Sequence, residues 1–222
     1  MFSFVAPGLT PPVILFNFNG TDGYGPNALT QGTDGDYYGT TDRGGTHEAG
    51  TVFRLSRTMA ATNWKETVLY SFTNGSDGGY PDAGLVFDAL GNLYGTTDNG
   101  GNVAGEGTVF ELTPSGMAWT ETVLLTFDGT NGENPQAPLI FDNAGNLYGT
   151  TFTGGPEAGG VVFELTPKGG AWLETILHAF PYNTSDGNTP QAAPVIGASG
   201  NLFGTTVQGG ADDWGVVYEI VP

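Results

Sequence analysis

The residues able to do chemistry fall mainly in two sets of glycine-rich loops. One set reads DRGGTHEAG, DNGGNVAGEG, FTGGPEAGG and VQGGADDWG, and each member carries at least one acid: Glu48, Glu106, Glu157, and Asp212 with Asp213. Arranged around a common axis, these carboxylates would form a negative rim that holds a cation or accepts hydrogen bonds from sugar hydroxyls. Trp214 stands beside Asp212 and Asp213, and an aromatic plate next to carboxylates suits stacking on a sugar ring. Tyr24, Tyr80 and Tyr182, in neighbouring loops, would add further plates. The alternatives are plain: solvated acidic loops, and a Trp214 that covers a seam of the fold. His47 is the one histidine of these loops, and with no second histidine nearby a zinc site has little support.

The second set reads NGTDGYGP, NGSDGGYP, DGTNGENP and NTSDGNTP. Its Asp22, Asp77 and Asp186 could offer oxygen ligands to Ca²⁺. The same residues also make ordinary Asx turns without metal, and the spacing is not that of an EF-hand loop. The chain has no GxSxG, P-loop, dinucleotide fingerprint or HExxH. Acids that recur in every repeat, such as Glu66, Glu121 and Glu174, fit a scaffold better than the single acid and single base of a glycosidase.

These loops need elements to position them, and the elements repeat. YYGTT, LYGTT, LYGTT and LFGTT start at Tyr37, Leu93, Leu147 and Leu202, 56, 54 and 55 residues apart. After each comes a Gly-Gly pair, then a run such as GTVFEL, then WKETVLYSF, WTETVLLTF or WLETILHAF, a polar loop ending in proline, and AGLVFD, APLIFD or APVIG. Each unit thus holds four short runs rich in β-branched and aromatic residues, bounded by Gly, Asp, Asn and Pro, which are strand and turn signals. No run shows an apolar helical period. Four antiparallel strands repeated at this spacing predict an all-β fold, a β-propeller of four blades with four antiparallel strands each. The single domain covers 1–222, with repeats at about 25–72, 80–127, 135–180 and 190–222 by the spacing of strand and turn signals. The last unit stops after its third strand. Pro12–Phe18 (PVILFNF) matches a fourth strand, so the ring is expected to close by this N-terminal strand pairing into the C-terminal blade. Met1–Gly8 faintly resembles the third strand and turn of a preceding unit, and a dimer forming a larger ring is the alternative to a closed monomer.

Composition narrows the partners. Lys plus Arg is 5 against 23 Asp plus Glu, a formal charge of −18. That field repels nucleic acid and anionic membrane surfaces. No apolar run is long enough for a transmembrane helix, and Met1–Pro12 lacks the basic and apolar regions of a signal peptide. The absence of cysteine rules out disulfides and thiolate chemistry.

Through GNLYGTTDNGG, GTVFELTP and the ETVLYSF strand, nearly the whole chain resembles the GloVer-type, or choice-of-anchor, tandem-repeat proteins of bacteria. The resemblance implies a secreted or surface-attached protein with a separate anchoring segment, and it brings no defined activity. The combined expectation is a non-catalytic extracellular or cell-surface binding module with a glycan as ligand. The alternatives are a structural or adhesive module that binds surface proteins, and a glycoside hydrolase or lyase using central carboxylates. Ca²⁺ is the one cofactor weighed.

Overall fold

LYGTT is buried along its full length in both blades where it occurs letter for letter, and the blades are built around it. The structure, a computed structural model, describes residues 12–58, 63–116, 118–182 and 185–222. Met1–Gly8 lies outside them. The first sheet contains β1 (Tyr24–Gln31), β2 (Tyr37–Arg43), β3 (Thr51–Arg57) and β4 (Trp64–Ser71). The second contains β5 (Val86–Phe87), β6 (Leu93–Thr97), β7 (Thr108–Ser115) and β8 (Ala118–Thr126). The third contains β9 (Ile140–Phe141), β10 (Leu147–Thr151), β11 (Ala158–Lys168) and β12 (Ala171–Pro181). The fourth contains β13 (Val195–Ile196), β14 (Leu202–Thr205) and β15 (Val217–Ile220). Within each sheet the strands lie in chain order and pair antiparallel, and no helix occurs among the described residues. This is the all-β, four-bladed propeller that the repeat predicts.

The motif shows why each letter is needed. Tyr38 and Tyr94 lie edge-on to Phe87 and Phe141 of the following blade and close to Trp119 and Trp172. Trp119 and Trp172 therefore pack between blades, whereas Trp64 lies against Tyr37 and Arg57 of its own blade. The Tyr94 hydroxyl reaches Glu111 at 2.8 Å and Tyr148 reaches Glu164 at 3.0 Å, which gives the repeated third-strand acids a structural role. Thr40, Thr96 and Thr150 donate to the carbonyls of Ala83, Ala137 and Ala192 in the next blade. The second threonine of each motif accepts from a third-strand N–H and donates within its own loop, as at Thr97. The inner strands of the second, third and fourth blades are two residues long, and the alanine carbonyls just before them accept these interblade bonds.

The glycine is there for space. A Cβ on Gly95 would lie 2.7 Å from Cζ of Phe110 and 2.9 Å from Leu85. Gly95→Ala is therefore expected to cost about 1–3 kcal/mol by overpacking, read as a lower urea midpoint; an unchanged midpoint would mean that the Phe110 ring yields freely.

Apolar rings also join the blades on the outside. Phe72 meets Phe110, Phe127 meets Phe163, and Phe180 meets Tyr218, with ring centroids 5.1, 5.4 and 5.2 Å apart. Phe18 continues the series against Phe53, at 5.0 Å. One element differs from expectation. Among the described residues the fourth sheet has three strands, and Pro12–Phe18 forms no ladder with β15. Its aromatic anchor is on the first blade, where Phe18 fills the place that Phe72 fills on the second.

Candidate functional site

The Gly-Gly loops and the DG loops lie on one face, as their places in the blade order require. Gly45, Gly101 and Gly155 donate their N–H groups to the carbonyls of Gly20, Gly75 and Gly129, at 3.0, 2.7 and 2.8 Å. The approach is backbone to backbone: a Cβ on Gly100, whose φ is +77°, would sit 2.7 Å from Cα of Gly78.

On this face the structure opens a polar cleft of about 210 Å³ lined by Asp42, Arg43, Tyr80, Asp82, Asp98 and Asn99. Asp42 and Asp98 directly follow the GTT of the first two blades, and Asp82 directly follows the loop proline. Both positions are aimed inward because a buried β-strand and a fixed proline end there. The Arg43 guanidinium lies over the Tyr80 ring, 5.4 Å from its centroid, and its Nε is 3.3 Å from Asp42 Oδ2. Tyr80 has φ +54° and donates its N–H to the Ala49 carbonyl at 2.8 Å, so its ring is held by the backbone of two loops.

The three carboxyls are electrostatically linked. Crowding by protein, then a hydrogen bond to Asp42 and the Asp42 charge, push the Asp82 carboxyl up to about 7. Asp82 as a residue is exposed at the cleft mouth, while its carboxyl is flanked by Asp42. Burial also raises Asp98, against the lowering effect of its hydrogen bonds from Gln136, Asn134 and Asn99. Gln136 Nε2 donates to Asp98 Oδ1 at 3.0 Å, and Gln191 Nε2 donates to Gln136 Oε1 at 3.3 Å. A chain of amides thus runs from the fourth blade through the third to the acid of the second. Phe152 and Val207 stand where the first two blades have Asp42 and Asp98, so the acids occupy one side of the axis.

Of the sequence candidates, Tyr80 is the one found in this cleft. Tyr24 pairs with Arg43 across the ladder and is half exposed. Tyr182 is exposed, and its N–H donates to the Glu157 carbonyl. His47, Glu48, Glu157, Asp212 and Asp213 are exposed on their loops. Glu48 and Asp213 take φ +60°, and Asp213 Oδ1 accepts from the Gly209 N–H at 2.8 Å. Glu106 is partly buried, with Oε2 enclosed and no protein partner. Trp214 is 88% exposed. Each metal candidate binds its own surroundings: Asp22 accepts from the Asn19 N–H, Asp77 from Tyr70 and the Thr73 N–H, and Asp186 meets His178 Nε2 at 3.0 Å. Among the described residues no group of three or more His, Asp or Glu is placed to hold a metal ion.

Reasoning from sequence passed over Asp42, Arg43, Asp82, Asp98 and Asn99. A usable signal was present. The repeats diverge one residue after GTT and one residue after the loop proline, before the Gly-Gly pair is reached.

No curated protein matches the chain. Among solved structures, a protein named as a candidate gluconolactonase superposes with a TM-score of 0.51 at 19% identity, over 88% of this chain and 57% of that one. A protein of unknown function from Dyadobacter fermentans gives 0.55 at 12% identity, over 93% and 68%. A candidate glucose dehydrogenase from Thermus thermophilus gives 0.52 at 16%, over 90% and 62%. The first and third of these chains are spanned over less than two thirds of their length. These likenesses are of fold alone. The model of the Gloeobacter/Verrucomicrobia repeat matches residues 2–218. On that match, the chain belongs to the Gloeobacter/Verrucomicrobia repeat family.

Proposed function

We propose that this protein is a non-catalytic binding module of the cell exterior or cell surface, and that it takes a carbohydrate at the Asp42–Tyr80–Asp82–Asp98 cleft. The observation that carries the reading is the cleft itself: convergent carboxyls and an amide beside an aromatic ring held by backbone bonds. Carboxylates accept from sugar hydroxyls, Asn99 both donates and accepts, and the Tyr80 ring offers an apolar face. Three acids against the single Arg43 favour a neutral or amino sugar over a uronate. Family membership supports the exterior location, and no helix among the described residues is long and apolar enough to cross a membrane.

A glycan array followed by calorimetry tests this. Tyr80→Ala and Asp98→Asn are each expected to weaken binding about tenfold or more, the loss of one hydrogen bond to a charged group or of one stacking face. Trp214→Ala should leave it intact. Because Asp82 gains its proton near pH 7, affinity should change between pH 6 and 8, and Asp82→Asn should flatten that change. Absence of any retained glycan, or equal binding by Tyr80→Ala, defeats the reading. An enzymatic use of the Asp42–Asp82 pair would show instead as turnover lost in Asp82→Asn.

A further inference from the structure

Three seams between blades share one set of contacts, and the fourth does not have it. In each of the three, the residue before the loop proline donates its N–H to a carbonyl at the start of the preceding blade's third strand: Tyr80 to Ala49, Asn134 to Glu106, Thr189 to Gly159. Trp214 holds the corresponding place in the fourth blade and is 88% exposed. In the first three blades the valine of the third strand (Val52, Val109, Val162) is fully buried, whereas Val217 is 80% exposed. Thr205, the counterpart of the buried Thr40, Thr96 and Thr150, is exposed as well.

The first blade presents the matching half. Leu29 is 52% exposed, where its counterparts Leu85 and Leu139 are 4% and 2% exposed. An apolar cavity of about 300 Å³ lies beside it, lined by Phe18, Leu29, Phe53, Leu55 and the 14–16 stretch. At the second-to-third seam this place is filled by Tyr94 and Val109 of the preceding blade, packed with Leu139 and Phe163. By the repeat, the side chains that would fill the first-blade cavity are Phe203 and Val217, both exposed on the fourth blade.

The segment 12–18 is already shaped as an outer strand. Phe16 and Phe18 meet edge to face at 5.1 Å, as Tyr70 and Phe72 do at 5.0 Å, and Phe18 docks on Phe53 as Phe72 docks on Phe110. It therefore has the place of the outer strand of a blade that would stand before the first, and it is anchored there while, among the described residues, no strand pairs with the outer edge of β15.

We propose that the partner of this open seam is a second copy of the chain, docked head to tail, with Pro12–Phe18 of each copy serving as the outer strand of the other's fourth blade. The contact continues an interface that the chain builds three times within itself, and two copies satisfy both open faces at once. Such a head-to-tail contact closes when its rotation completes a ring, and two copies hold eight blades, within the range of propellers. The strand is added by main-chain bonds to a free edge, with Phe16, Phe203 and Val217 filling the apolar sites. In the register of Thr51 with Ser71, Asn17 of one copy falls opposite Val216 of the other.

The chain has no cysteine, so single cysteines report the contact directly. Asn17→Cys and Val216→Cys chains are mixed and oxidised at about 0.15 M salt or above, since two copies each of charge −18 repel at low ionic strength. The expected result is a disulfide-linked heterodimer of the two variants and, for the wild type, a light-scattering mass twice 23.0 kDa. Val217→Asp should return the mass to that of one chain while leaving the far-ultraviolet dichroism unchanged. The proposal is overturned if the mixed variants do not cross-link, or if a chain carrying both cysteines forms its disulfide within a single copy at monomer mass. That second outcome would show the chain closing on itself.

Discussion

Phe163→Ala is expected to cost about 3–5 kcal/mol of folding stability, the range for emptying a fully buried phenylalanine site, while Tyr218→Ala costs about 1–2 kcal/mol. The two residues occupy the same position in successive blades. Phe163 is fully buried, touches Phe127 of the preceding blade, and lies across Gly149, where a Cβ would come within 2.5 Å of its ring. It is packed from both sides, so its removal leaves a cavity that the rigid seams cannot collapse. Tyr218 keeps its contact with Phe180, but among the described residues no fourth strand covers its sheet, and its neighbour Val217 is largely exposed. Its hydroxyl is also enclosed without a partner, so truncation relieves a buried polar group while it removes packing. Urea unfolding of the two variants under dilute conditions checks this. Equal losses would mean that the fourth blade is packed as tightly as the third, and the open-seam account would fall with that result.

Stability should rise as pH falls from about 8 to about 5, the reverse of the usual trend for a carboxylate-rich protein. Burial, then the nearby charge of Asp22, pushes the Glu66 carboxyl up to about 7; burial, then Asp77, does the same for Glu121. Oε1 of each is enclosed with no protein partner, and Glu174 repeats the arrangement with a raised carboxyl of its own. A carboxyl whose folded pKa exceeds its unfolded value near 4.5 holds its proton longer in the native state. Its contribution is complete below the unfolded value and is lost as pH rises through about 7. After allowance for solvent screening of these half-exposed groups, each is worth on the order of 1 kcal/mol. Below about pH 4 the trend reverses, because Asp128, held low by the Thr130 hydroxyl and N–H, loses those charge-favouring hydrogen bonds as it takes up a proton. Melting temperatures across this range test the idea, and Glu66→Gln with Glu121→Gln should flatten the profile and raise the melting point at pH 8. A profile that climbs steadily to pH 8 would rule it out.

Both expectations depend on how much of the molecule could be read before its fold was known. LYGTT, the Gly-Gly pair and the GTVFEL and ETVLYSF runs determined the blade, its strand order and the face on which the loops gather. These are local facts of alternation, turn chemistry and steric need, and they recur three or four times along the chain. That Trp119 and Trp172 serve packing was legible for the same reason: a residue that recurs from blade to blade is there for what the blades share.

The candidate site was harder to read because its residues become neighbours only where one blade packs on the next. Asp42, Asp82 and Asp98 are separated in the chain by 40 and 16 residues, and their separate motifs give no sign that their carboxyls converge. The sequence placed divergence beyond the Gly-Gly pair, where Trp214, Asp212 and Glu48 stand, since those loops differ most in letters. The tertiary structure instead gathers chemistry at the two single positions where a buried strand and a fixed proline point inward, and it leaves those loop residues in solvent. The fate of Pro12–Phe18 was also a tertiary matter. Its pattern marks an outer strand, but which blade it joins depends on whether three packed seams can bring β15 to the first blade. Neighbours along the chain suffice to define the repeat and its strands, so both could be read from the letters. The converging carboxyls and the open seam arise where one blade meets another, and no local pattern encodes that meeting.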